Sequence, residues 1–231
     1  MPSDIPATPP PADRPRCDLV LPCKDEGPAL VDLLPRIPDV FDVIVVDNGS
    51  TDDTVAVAER LGARVVREQS PGYGAAVHAG VVAARHDWLA VMDGDGSFDP
   101  DDLLPLLDEV VGGRADLALG RRRPVRSGVW PWHARAGNTV LLWWLRRKTG
   151  LPVRDIAPMR VSGRQAMVDL GVEDRRFGYP VELLQRAHAA GWRFSERDVA
   201  YHPRAEGTKS KVSGSVKGSL RAARDFAKVI R

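Results

Sequence analysis

Read from its N-terminus, the chain alternates short apolar runs with apolar residues at helical spacing. Asp18-Leu19-Val20-Leu21-Pro22 predicts a strand, and Cys23-Lys24-Asp25-Glu26-Gly27-Pro28 a loop. Ala29, Leu30, Leu33 and Leu34 then share one face of a helix that Pro35 and Pro38 end. Val43-Ile44-Val45-Val46, the most β-branched run, predicts a central strand. It runs into Asp47-Asn48-Gly49-Ser50-Thr51-Asp52-Asp53-Thr54, where Ser50 or Thr51 is expected to cap a helix carrying Val55, Ala58 and Leu61. Residues 63–66 predict a third strand, and a helix of small residues follows Gly72-Tyr73-Gly74 as far as about Arg85. Next come a strand at 88–92, a helix burying Leu103, Leu106, Leu107 and Val110, and a strand at 117–120. This rhythm implies an α/β fold: a mostly parallel central sheet with helices on both faces.

Beyond residue 120 the rhythm loosens. A helix is expected over 135–148, a short strand over 155–161, a helix over 180–190 and an edge strand over 194–202. A flexible basic loop over 204–213 and a last helix complete the reading. The expected organisation is a Pro-rich tail at 1–16, one domain at 17–205, and a mobile basic loop with an amphipathic helix at 206–231.

Candidate chemistry concentrates where the apolar strand Trp88-Leu89-Ala90-Val91-Met92 stops at Asp93-Gly94-Asp95-Gly96-Ser97. Carboxylates two residues apart on extended chain point to one side, and the glycines let backbone approach a ligand closely. This arrangement suits a hard divalent cation bridged to a pyrophosphate. The alternative is an ordinary Asp- and Gly-rich surface turn. In an open parallel sheet, ligands bind beyond the carboxyl ends of the strands, so Asp25-Glu26, Asp47 and Asp93-Asp95 form one candidate site. His78, His86, His133, His188 and His202 are scattered without metal-ligand spacing, and Gly72-Tyr73-Gly74 lacks the full dinucleotide-binding pattern.

Composition narrows the picture. At 231 residues and 43% hydrophobic, the chain can bury a real core. No run of eighteen apolar residues is present, so no membrane span is expected. Six prolines in the first sixteen residues predict an extended tail and no signal peptide. Cys17 and Cys23, the two cysteines, flank one strand and point to a reducing, cytoplasmic setting and not to a metal site. The net charge of +2 conceals a division: residues 1–120 carry a net of −13 and residues 121–231 a net of +15. A polyanion met by the second half follows. Nucleic acid is disfavoured because the acidic half would surround the same cleft.

LPCKDEG, VVDNGSTDDT, GYGAAVHAG, VMDGDGS and LGRR, in this order, resemble the GT-A fold of glycosyltransferase family 2. Within that family they are most similar to the polyprenyl (dolichyl) phosphate mannosyl- and glucosyltransferases. The resemblance implies inverting transfer of a hexose from a UDP- or GDP-linked sugar, with Mg2+ or Mn2+ at a DXD motif. It implies that Asp93 and Asp95 hold the metal, Asp95 most directly. Pro22, Glu26, Asp47 and Gly74 would line the donor site, and Arg121 and Arg135 would face the phosphates. Arg122 and Arg123 would be solvated. Arg204, Ser210 and Lys211 would belong to a loop closing over donor and acceptor. Asp25 stands where the family usually has Asn, Ser97 where Gln is commoner, and Ala157-Pro158-Met159-Arg160 in place of SGFR. These departures fall on donor and acceptor recognition.

Two acceptors stay open. Polyprenyl phosphate is already ionised near neutrality, with a second pKa near ~6, and needs positioning, not a base. A soluble hydroxyl acceptor needs a carboxylate, and Glu182 stands where relatives keep one. A non-catalytic nucleotide-sugar or polyanion-binding protein is the third reading. The last helix, with Val216, Leu220, Ala223, Ala227 and Ile230 beside a row of Lys and Arg, and the group Trp130, Trp132, Trp143 and Trp144 suit peripheral contact with an anionic membrane at its inner face. Packing on the domain would explain both equally.

Overall fold

The computed structural model describes residues 14–205. Seven strands form one sheet in the order β3-β2-β1-β4-β6-β5-β7. They span Cys17–Cys23 (β1), Phe41–Asp47 (β2), Arg64–Arg67 (β3), Trp88–Val91 (β4), Leu117–Pro124 (β5), Met159–Gly163 (β6) and Phe194–Tyr201 (β7). β6 alone runs antiparallel to its neighbours, so the mostly parallel sheet stands as expected. β7 is indeed an edge strand.

Seven α-helices cover both faces: Gly27–Leu33 (α1), Thr54–Arg60 (α2), Tyr73–Ala83 (α3), Leu103–Val111 (α4), Trp132–Thr149 (α5), Arg164–Asp169 (α6) and Tyr179–Ala189 (α7). Strand alternation sorts the core. Leu19 and Leu21 of β1 face α1, α2 and α4, while Val20, between them, faces α3, α6 and α7. Gly80 of α3 allows close packing on β1, because a Cβ there would lie 2.3 Å from a Val20 methyl. Leu117 and Leu119 of β5 pack against Leu142 and Leu145 of α5.

Several local expectations change. The first residue of α2 is Thr54, after Asp53, and neither Ser50 nor Thr51 caps it. Both hold the first loop instead: Asp25 N–H donates to Ser50 Oγ at 2.9 Å, and Thr51 N–H donates to Asp25 Oδ1 at 2.7 Å. Asp25 adopts a positive φ of 53°, which Asp and Asn tolerate best among residues with a side chain. α2 buries Val57 with Ala58, while Leu61 is 38% exposed, because the helix ends at Arg60 and Leu61 is its C-cap residue. The sixth strand begins at Met159, leaving Asp155 in the preceding loop, and α6 was not anticipated. At the N-terminal end, Arg14 is tied to Asp108 by two hydrogen bonds of 2.6 and 2.9 Å.

One consequence of the topology positions the site. β4, β5 and β7 run the same way, and antiparallel β6 starts where β4 and β5 end. Segments 93–97, 121–124, 155–160 and 201–205 therefore meet at one end of the strands, beside the carboxyl ends of β1 and β2.

Candidate active site

Glu26, Asp93 and Asp95 come together at this end of the sheet. A Cβ on Gly94 would stand 2.5 Å from Cys23 Sγ and 3.3 Å from Glu26 Oε2. Glycine is thus what lets the turn after Asp93 lie against the first loop. Glu26 is buried, its N–H donates to Thr54 Oγ1 at 2.9 Å, and its Oε2 has no hydrogen-bond partner. Burial, then the charges of Asp95 and Asp93, push its pKa up to about 8. Burial and then Asp95 also raise Asp93, against the pull of Arg204, Arg160 and Arg122. A carboxylate cluster held at this electrostatic cost lacks positive charge.

The two aspartates differ. Asp95 is buried; its Oδ1 accepts from Ser97 N–H at 3.0 Å and its Oδ2 meets Arg204 Nη1 at 2.9 Å. Asp93 is partly open and accepts no hydrogen bond from the described residues. Among the described residues no group of three or more His, Cys, Asp or Glu is placed to hold a metal. Two carboxylates fit a hard divalent ion that takes its other ligands from outside the protein; Asp93 and Asp95 would hold it, and the unpartnered Glu26 Oε2 marks the want of positive charge nearby.

Opposite the acids lie arginines. Strand alternation sends Arg121 and Arg123 of β5 to Asp198 on β7, at 2.5 and 2.8 Å, where Arg121 holds the Asp198 pKa down to about 2. Arg122 points the other way, unlike the solvated residue expected. Its Nε and Nη2 donate to Asp155 at 3.0 and 2.6 Å, and its guanidinium lies 4.0 Å from the Trp130 ring centroid. Arg160, opposite Val91 in the sheet, is buried; Nη2 donates to Tyr73 Oη at 3.1 Å and Nε has no partner. Sequence reasoning singled out neither Arg122 nor Arg160 for the site. The period of two along β5 was the available signal for Arg122, and the aligned SGFR segment for Arg160.

Asp47 ends β2 and its Oδ1 accepts from Ser50 N–H at 3.0 Å. Pro22 lies beside it on β1, opposite Val46. Gly74 opens α3, donating to Arg176 O at 3.0 Å; a Cβ there would lie 2.7 Å from Asp174 O. Arg135 is exposed on α5, away from any ion pair with the described residues. Glu182 on α7 accepts from the N–H groups of Glu173 and Asp174 at 3.0 and 2.7 Å and from Arg186 Nε at 2.6 Å. Burial opposes its ionisation, yet these donors outweigh it and hold the pKa below the usual value. Ser210, Lys211 and the last helix lie outside the described residues.

Comparison with known proteins agrees with this fold. The model for glycosyl transferase family 2 matches residues 18–172. A glycosyltransferase of Mycobacterium tuberculosis is 58% identical over 92% of this chain and 96% of its own length. The polyprenol monophosphomannose synthase of Mycolicibacterium smegmatis is 33% identical over 75% of this chain and 71% of its own. Among solved structures, glucosyl-3-phosphoglycerate synthase from Mycobacterium tuberculosis, in complex with Mn2+ and UDP-glucose, superposes with a TM-score of 0.73. It covers 95% of this chain and 78% of that one at 21% identity, a likeness of fold. With a GT-A sheet, a matching family model and glycosyltransferase relatives at this similarity, the chain belongs to glycosyltransferase family 2 and is a glycosyltransferase.

Proposed function

We propose that the enzyme transfers a hexose, with inversion, from a UDP- or GDP-linked sugar to polyprenyl phosphate, aided by Mg2+ or Mn2+ at Asp93 and Asp95. The observation that carries the choice of acceptor is the state of Glu182. Three donors occupy its carboxylate and lower its basicity, which suits a bracket for the 173–176 loop better than a proton acceptor. The similarity to a polyprenol monophosphomannose synthase, and to a dolichyl-phosphate hexose transferase of Haloferax volcanii at 30% identity over 79% of each chain, supports the same acceptor class.

In this reading Pro22, Glu26, Asp47 and Gly74 seat the nucleotide. When bound, the divalent ion offsets the diphosphate charge as the glycosyl bond breaks. Arg122, Arg160 and Arg204 direct positive charge at the same cleft, and Arg135 and Lys211 add to it once donor and acceptor are in place, with Ser210 as a neutral hydrogen-bond donor, while Arg121 stays paired with Asp198. An acceptor phosphate oxygen attacks the anomeric carbon, and the electron pair of the broken bond leaves with the diphosphate. The acceptor is already ionised, so no side chain removes a proton. Such an acceptor sets the work at the cytoplasmic face of the membrane. No helix among the described residues is long and apolar enough to cross a bilayer.

A second reading is transfer to a soluble acceptor, favoured by the fold likeness to glucosyl-3-phosphoglycerate synthase, crystallised with UDP-glucose and phosphoglyceric acid. Incubation with labelled UDP- and GDP-sugars separates the two. Label extracted with polyprenyl phosphate supports the first reading, and label on phosphoglycerate supports the second.

A further inference from the structure

Of the eighteen residues of α5, only Leu142 and Leu145 are buried. On the outer side Trp132, Ala136, Val140, Trp143 and Arg147 recur at intervals of three and four, forming one stripe along the helix. Trp132 is 81% exposed, Val140 65% and Trp143 61%. Trp130 and Trp144, by contrast, pack on the core. The helix contains no Asp or Glu, and Arg147, at the end of the stripe, and Arg135 and Arg146, which border it, make no ion pair to any described residue. At its C-terminal end a depression of about 550 Å³ is lined by Trp143, Arg146, Arg147, Gly150, Leu151 and Pro152.

We infer that this face of α5 docks on an anionic phospholipid bilayer. Exposed indoles suit the boundary between headgroups and acyl chains, and arginines with no ion pair among the described residues suit a negative surface. The depression brings the two together: guanidinium groups for a lipid phosphate and an indole for the chain beneath it. The same helix is coupled to the cleft. Asn138 Oδ1 accepts from Ile156 N–H at 3.1 Å, and the neighbouring Asp155 holds Arg122. The inference rests on the reading of a membrane-borne acceptor and names the surface that meets the membrane.

The test uses the full chain and vesicles of phosphatidylcholine with or without phosphatidylglycerol, free of sugar donor and polyprenyl phosphate. Docking can then fail or succeed independently of the transfer reaction. The expected result is salt-sensitive co-sedimentation with the anionic vesicles and quenching of tryptophan fluorescence by brominated lipid. Trp132→Ser with Trp143→Ser, or Arg146→Gln with Arg147→Gln, should each weaken partitioning by about tenfold. These positions are exposed, and circular dichroism would verify that the variants remain folded. Equal partitioning of wild type and both variants would overturn the proposal, as would equal binding to neutral vesicles. A concentration-dependent dimer abolished by the same substitutions would assign the face to a second copy of the chain instead.

Discussion

Arg204 Nη1 lies 2.9 Å from Asp95 Oδ2, and the next residue, Ala205, donates its N–H to the Asp95 carbonyl at 3.0 Å. The end of β7 is thereby latched to the acidic turn, with a guanidinium against one of the two carboxylates proposed to hold the metal. Arg204 and a divalent ion would compete for that oxygen. Arg204→Gln should therefore tighten Mn2+ binding in the absence of donor by about threefold to tenfold, measured by calorimetry, while lowering turnover. Weaker Mn2+ binding in the variant would show that Arg204 supports the ion.

Glu26 makes stability depend on pH. Its folded pKa of about 8 lies above the ordinary 4.5, so the native state keeps a proton that the unfolded chain loses across that interval. Stability from this group is fully present below the ordinary value and falls as pH rises toward the folded one. In EDTA, Glu26→Gln should melt at least about 3 °C above wild type at about pH 8.5 and close to it at about pH 4. Parallel melting curves at both extremes would contradict the shift.

Asp155 is buried and accepts both side-chain bonds and the backbone N–H of Arg122. Asp155→Asn leaves a guanidinium of low exposure without its counter-charge, at a cost of about 3 kcal/mol. Chemical denaturation would measure that loss. Turnover should fall too, since the charge of Arg122, which acts on Asp93, would no longer be held in place.

Glu182→Gln separates a bracket from a base. Loss of charge-assisted bonds to Arg186 and the 173–174 backbone should cost about 1–2 kcal/mol of stability. Turnover should stay within about tenfold and the pH–rate profile should keep its shape. A loss of 100-fold or more, with the loss of a limb of the profile, would make Glu182 the general base.

The first half of this fold is written locally. Val43 to Val46 and Leu89 to Met92 are apolar runs that stop at acids, Leu19 to Leu21 is followed by Asp25 and Glu26 in the next loop, and those acids meet because parallel strands share one end. The helix face of Leu103, Leu106, Leu107 and Val110 is equally direct, and all four are buried. What was hidden depends on partners far away in sequence. Ser50 and Thr51 look like helix caps but serve Asp25, twenty-five and twenty-six residues earlier. Arg122 sits in a run of three arginines whose separate fates are decided by Asp155 and by Asp198 across the sheet. Arg160 reaches the cleft only because β6 runs antiparallel between β4 and β5, a reversal that no apolar pattern announces.

The central claim is metal-assisted hexose transfer to a lipid phosphate. It is tested most directly by incubating the protein with Mn2+, labelled UDP- and GDP-sugars and polyprenyl phosphate in detergent, then following label into the organic phase. The account predicts label in that phase from one of the donors, abolished by Asp95→Ala and retained in Glu182→Gln. Label that stays in water with every donor, or that reaches the organic phase undiminished in Asp95→Ala, would contradict it.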